Sequence, residues 1–144
     1  MKPSATCIRH IISYEGFRDR AYQDIGGVWT IGYGFTLGVK KGDLITPEAA
    51  VKRLEEEAAV FGEQVYALCS ATTAQFELDA MISLAYNIGI NAFKKASVLR
   101  EHNRGNRGAA SEAFRLWNKV KGVSILGLTL RRASEAKCYL GEEQ

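Results

Sequence analysis

The sequence predicts an α+β fold in which one helix leads into a small antiparallel sheet and then into a mostly helical lobe. Three observations carry this. Apolar residues keep helical spacing near residues 4–14, lose it in a glycine-punctuated stretch from Gly16 to Gly38, and regain it after Thr46. That middle stretch is rich in Tyr, Val, Trp, Thr and Ile, the residues a strand prefers. And 144 residues make one domain, long enough to bury roughly 68–70% of the unfolded surface without cross-links.

The elements follow in order. Ile8, Ile11 and Ile12 share one face of the first helix. Asp24-Ile25-Gly26-Gly27 is a turn joining two strands, and so small a sheet must lean on helices. Thr46 is the expected N-cap of the next helix, with Pro47 in its first turn and Glu48 at the positive end of its dipole. Val51, Leu54, Ala58, Phe61, Val65 and Leu68 continue its apolar stripe. A cap at Thr72 or Thr73 is expected to open a further helix that stops at Gly89. Later helices are expected near 96–103, 108–120 and 128–140. One domain over 1–144 results, with the β-lobe at about 16–45 and a helical lobe at about 46–144 that includes the N-terminal helix.

Composition removes several classes. Hydrophobic residues make up 47% and charged residues 24%, which excludes a disordered or low-complexity chain. No apolar run approaches the roughly 18 residues of a membrane span, and Met1 to Ile12 lacks the apolar stretch of a signal peptide. No stable membrane insertion is expected. Net charge is +3, but residues 94–137 hold eleven basic side chains against three acidic ones, a local +8 that suits a polyanion. A nucleic-acid partner is not expected, because no reading motif accompanies the charge. Cys7, Cys69 and Cys138 read as reduced thiols, with Cys7 a small buried hydrophobe. His10 and His102 lack metal-ligand spacing, so no metal is expected.

What remains are carboxylates beside the glycine-rich hairpin. Glu15 falls where the first helix ends, between Tyr14 and Phe17, whose rings are expected to shield it from water as a general acid requires. Asp24 lies in the turn nine residues on, and Thr30 follows on the next strand. Glycoside hydrolysis needs one protonated and one ionised carboxyl across a sugar. On the pattern alone, Glu15 also reads as a solvated helix-end charge and Asp24 as a turn residue.

The run Tyr14-Glu15-Gly16, Ala21-Tyr22-Gln23-Asp24 and Gly27-Val28-Trp29-Thr30-Ile31-Gly32-Tyr33-Gly34 resembles the active-site signature of phage-type lysozymes, the endolysins. The likeness continues through Ser83 to Gly89, Ala92-Phe93, Ala113 to Trp117, and Gly127 to Arg132 with Glu135. It implies a lysozyme-like fold and a muramidase that hydrolyses, with inversion, the β-1,4 bond between N-acetylmuramic acid and N-acetylglucosamine. Glu15 would be the acid, with Asp24 and Thr30 positioning the attacking water. Thr36, Tyr86 and Asn87 match groove positions that bind the saccharide, Tyr86 also reading as helix packing beside Leu84 and Ile88. Arg131-Arg132 is in reach of Glu15, or else forms a solvated basic face. The family's usual His is replaced by Phe35, which puts a local ion pair in doubt. No cofactor is implied. The expected partner is bacterial peptidoglycan, met by a monomer that waits in the host cytoplasm until a separate holin-type protein permeabilises the membrane. A lytic transglycosylase needs no water-activating Asp24, and a non-catalytic wall-binding module needs no Glu–Asp–Thr set, so both are the weaker alternatives.

Overall fold

In the computed structural model, which describes residues 1–142, Ser4 opens α1 (Ala5–Glu15) by accepting the Cys7 N–H at 3.2 Å. Glu143 and Gln144, the end of the expected 1–144 span, lie outside the described residues. Ile11 is fully buried from this helix, with Ile8 and Ile12 packed at the edge of the core. The chain then turns into β1 (Arg18–Gln23) and β2 (Trp29–Gly32), antiparallel, with Tyr22 opposite Thr30 and an irregularity between Arg18 and Tyr22. Leu44 bridges to Arg20 on the other side of β1, so the segment closing the lobe adds a third rung.

The Thr46-Pro47-Glu48 signal starts α2 (Pro47–Leu68) as expected, Thr46 Oγ1 accepting the Ala49 N–H at 3.2 Å. Its 22 residues span roughly 33 Å and link the sheet to the helical lobe. Ala50, Leu54, Ala58 and Val65 are buried from its apolar stripe. Gly62 belongs to the same face, where a Cβ would come 3.1 Å from Pro3.

At the centre lies α3 (Gln75–Ile88). It buries Leu78, Ala80, Met81, Ile82, Leu84 and Ala85, because a helix apolar on most sides must be covered on most sides. The expected cap at Thr72 or Thr73 is corrected to Ala74, whose N–H is held at 2.8 Å by the Glu77 carboxylate. Thr73 is used elsewhere: its hydroxyl meets the Ala71 carbonyl and the buried His102 ring. Gly89 ends α3 as expected. A short α4 (Ile90–Lys95), which the sequence reading passed over, leads into α5 (Ser97–Asn103).

The helix expected over 108–120 is shorter. α6 runs Arg107–Phe114, and a hairpin of β3 (Lys119–Val120) and β4 (Val123–Ser124) follows. Lys121 and Gly122 both take positive φ, 50° and 79°, the geometry of a two-residue hairpin turn that twists with its strands. The last helix, α7 (Leu126–Tyr139), starts two residues before the expected Leu128 and packs along α3. The architecture is the expected one, a small antiparallel lobe on a helical lobe.

Candidate active site

Glu15 is the final residue of α1. Gly16 ends the helix at φ 69°, a conformation that strains any side chain, and its N–H returns to the Ile12 carbonyl at 3.3 Å. The Glu15 side chain is 17% exposed and accepts Arg131 Nη1 at 3.1 Å, across 116 residues of sequence. A Cβ on Gly34 would stand 3.8 Å from Glu15 Oε1, so the turn after β2 closes over the carboxyl. The expected aromatic shielding needs correction. Tyr14 is exposed, and Phe17 packs against Tyr33; the buried Arg131 guanidinium and the Gly34 turn are what cover Glu15.

Asp24 and Thr30 are both held by the backbone of one residue, Val28. Asp24 Oδ1 accepts the Val28 N–H at 2.9 Å, and the Thr30 hydroxyl donates to the Val28 carbonyl at 2.9 Å. That carbonyl also accepts the Asp24 N–H at 2.9 Å. The turn is therefore fixed, Asp24 stays exposed, and the buried Thr30 keeps its oxygen lone pairs as acceptors. Thr30 lies on β2, four residues before Gly34 in the turn that closes over Glu15.

Tyr86, on α3, is half-buried against Phe61 and donates its hydroxyl to the Tyr33 carbonyl at 2.7 Å. It ties the helical lobe to the turn over Glu15. Burial pushes its hydroxyl well above the usual tyrosine range, with the Glu57 and Glu15 carboxylates adding to this, so it remains a donor. Asn87 is exposed, its Oδ1 accepting Arg132 Nη1 at 3.0 Å. Thr36 is exposed in the loop after β2.

Behind Glu15 lies a buried ionic cluster whose extent the sequence reading missed. Arg131 Nε meets Glu135 Oε2 at 3.2 Å, and its Nη2 donates to the Ser83 carbonyl at 3.1 Å. Arg132 Nη2 meets the same Glu135 oxygen at 3.1 Å, and its Nε lies 2.7 Å from Glu135 Oε1, an ion pair out of hydrogen-bond alignment. Ser83 Oγ also donates to Glu135. Burial raises the Glu135 carboxyl from its ordinary value, while Arg132, Arg131 and Ser83 pull against it. Of the expected Arg131-Arg132 pair, only Arg131 reaches Glu15. In sequence, Arg131, Arg132 and Glu135 look like ordinary neighbours on a helix face.

Phe35 is held by packing. Its ring is buried, edge-on to Tyr33, and lies where a Cβ on Gly32 would stand 2.6 Å away. The Arg53 guanidinium of α2 sits 4.6 Å from the ring centroid and donates to the Leu37 carbonyl at 3.1 Å. The loop carrying Thr36 is thus pinned to α2.

The +8 stretch is not a single basic face. Arg131 and Arg132 are buried in the cluster, Arg107 pairs with Glu77 at 2.9 Å, and Arg104 pairs with Glu101 at 3.3 Å. Exposed lysines remain at 94, 95, 119, 121 and 137. Cys7 is buried as expected, its thiol donating to the Asp79 carbonyl and pushed far upward by burial. Among the described residues, no group of three His, Cys, Asp or Glu side chains is placed to hold a metal ion.

Residues 12–135 match the family model described as phage lysozyme. An endolysin of Acyrthosiphon pisum secondary endosymbiont phage 1 is 37% identical over 130 residues, covering 88% of this chain and 89% of that protein. An endolysin of Bacillus phage B103 is 35% identical over 146 residues, and the match spans 56% of that longer protein. Among solved structures, the muramidase domain of SpmX from Asticaccaulis excentricus superposes with a TM-score of 0.91 at 35% identity, over 96% of this chain and 97% of that one.

Proposed function

The chain belongs to the phage lysozyme family and is a peptidoglycan-cleaving muramidase of the endolysin type, and from that premise we propose that Glu15, Asp24 and Thr30 carry its chemistry. The bond cleaved is the β-1,4 link between N-acetylmuramic acid and N-acetylglucosamine. Glu15 protonates the leaving oxygen. Asp24, with Thr30, orients and deprotonates a water that attacks the anomeric carbon from the other face, giving inversion.

The observation that carries this reading is the treatment of Glu15. The carboxyl ends α1 only 17% exposed, under the Gly34 turn, and is gripped at 3.1 Å by the buried Arg131. It is thereby held in one place beside the hairpin that carries Asp24 and Thr30, as a positioned proton donor requires. The water-side groups are equally specific: the Val28 N–H holds Asp24 and the Val28 carbonyl holds Thr30, while Asp24 Oδ2 and the Thr30 lone pairs stay available.

Substrate binding is proposed for Thr36, Tyr86 and Asn87. Asn87 is exposed and has only its carbonyl oxygen engaged, which leaves its amide N–H groups for a sugar oxygen or acetamido carbonyl. Tyr86 offers part of its ring, its hydroxyl being committed to Tyr33. Residues 1–144 are proposed as one unit acting as a monomer. Among the described residues no helix is long and apolar enough to cross a membrane. The proposed route to the wall is a separate holin-type permeabilising protein, with the enzyme held in the host cytoplasm until lysis.

The test is Glu15→Gln, which keeps shape and polarity but has no transferable proton. Hydrolysis of purified peptidoglycan is expected to fall by roughly two orders of magnitude or more, with the thermal melt retained. A folded variant that cleaves at near the wild-type rate overturns the assignment.

A further inference from the structure

We infer that Glu135 is a positioning residue for the hydrolysis: acting through Arg131, it fixes the guanidinium that holds Glu15 and takes up part of its charge. This rests on the reading of Glu15 as the general acid.

Glu135 and Arg132 are fully buried, and Arg131 is 3% exposed. Arg131 is engaged on three sides: Nη1 on Glu15, Nε on Glu135, and Nη2 on Ser83. A planar guanidinium bound on three edges has one orientation, so the direction from which Glu15 is gripped is set by groups that never meet the substrate. The charges also balance. With Glu15 ionised, two carboxylates and two guanidiniums sum to zero in a site almost closed to water. Without the Glu135 charge, Arg131 in contact with Glu15 and Arg132 behind it would be two buried cations with no other anion, which favours loss of the proton that Glu15 must donate.

The other ionisable groups around the cluster do not supply this negative charge. His10 on α1, which lines the same small cavity as Glu135 and packs against Tyr14, can only be neutral or cationic. Burial pushes the Cys7 and Cys138 thiols and the Tyr86 hydroxyl upward, so these stay neutral through the working range. Arg53 and Glu57 on α2 pair with each other at 2.8 Å. Asp79 on α3 is bound by Ser4 and Gln75. That leaves Glu135, where Arg132, Arg131 and Ser83 oppose the effect of burial, as the anion the two guanidiniums share.

The experiment is the pH profile of peptidoglycan hydrolysis by Glu135→Gln, with folding followed by circular dichroism. The alkaline limb is expected to move down by about one pH unit or more, with kcat falling and KM changing by less than about twofold. A double variant, Glu135→Gln with Arg132→Met, removes one charge of each sign, and the limb is expected to return toward the wild-type position. A folded Glu135→Gln enzyme with an unmoved limb overturns the inference, as does a double variant shifted as far as the single one. Should the single variant fail to fold, carboxyl ¹³C NMR of the wild-type protein decides: Glu135 ionised at pH 7 supports the balance, and a neutral Glu135 refutes it. Failure here with an inactive Glu15→Gln leaves the general acid in place; an active Glu15→Gln removes the premise instead.

Discussion

Replacing Thr30 by Val takes away one oxygen and keeps the shape of a buried side chain. The structure sets the stability cost. The hydroxyl makes one hydrogen bond, 2.9 Å to the Val28 carbonyl, and that carbonyl retains the Asp24 N–H at 2.9 Å, so no buried acceptor is left bare. The loss is therefore about 1 kcal/mol, partly offset by the added methyl in a site 4% exposed. For a chain of this size the melting midpoint should drop by no more than about 4 °C. Activity should respond differently. If the Thr30 lone pairs help hold the attacking water, its misplacement costs roughly 100-fold in kcat, with KM little changed. Thr30→Ser, which keeps the hydroxyl, should recover most of the rate. Initial rates on purified peptidoglycan, measured beside thermal melts, separate the two effects. A Thr30→Val enzyme that melts normally and turns over at the wild-type rate would take Thr30 out of the water's path.

Three further outcomes are expected. Phe35→Ala should cost roughly 3–5 kcal/mol in denaturant unfolding, because it empties a buried site between Gly32, Tyr33 and Arg53; a cost below about 1 kcal/mol would show that the ring does not hold the loop. His102, fully buried between Thr73 and Tyr139, is lowered from its ordinary 6.5 by burial. Its folded form resists protonation, so its contribution is present above about pH 6.5 and is lost as pH falls through the depressed folded value; melts of His102→Gln should lose that acid-side slope, and an unchanged slope would assign it to other groups. Reversing the exposed Lys94 and Lys95 to Glu should lower lysis of whole cells more than cleavage of soluble muropeptides, and more so at low salt; equal effects on both substrates would place those charges in the fold or the site.

What the sequence made legible is what local chemistry determines. Thr46-Pro47-Glu48 starts a helix wherever it stands before an apolar stripe, and Asp24 before Gly26-Gly27 makes a turn whatever lies nearby. The candidate Glu15, Asp24 and Thr30 lie within 16 residues, so their spacing could be read as a motif. Long-range choices were hidden. Thr72 and Thr73 are good caps by type, yet the cap falls at Ala74 because Glu77 reaches back to its N–H and His102 claims the Thr73 hydroxyl. Arg131 and Arg132 read as a basic patch until the fold buries Glu135 between them and brings Glu15 from 116 residues away. The β3–β4 hairpin carried a signal that was passed over, Lys121-Gly122 between β-branched valines.

The division of labour between Glu15 on one side and Asp24 with Thr30 on the other is tested most directly by digesting purified peptidoglycan in ¹⁸O-water and weighing the muropeptides. An acid on one face and a held water on the other predict a reducing-end muramic acid that carries the label at its new hydroxyl. Unlabelled 1,6-anhydromuramic acid as the main product would contradict the account, because it forms only when the sugar's own hydroxyl, and no water held by Asp24 and Thr30, attacks the anomeric carbon.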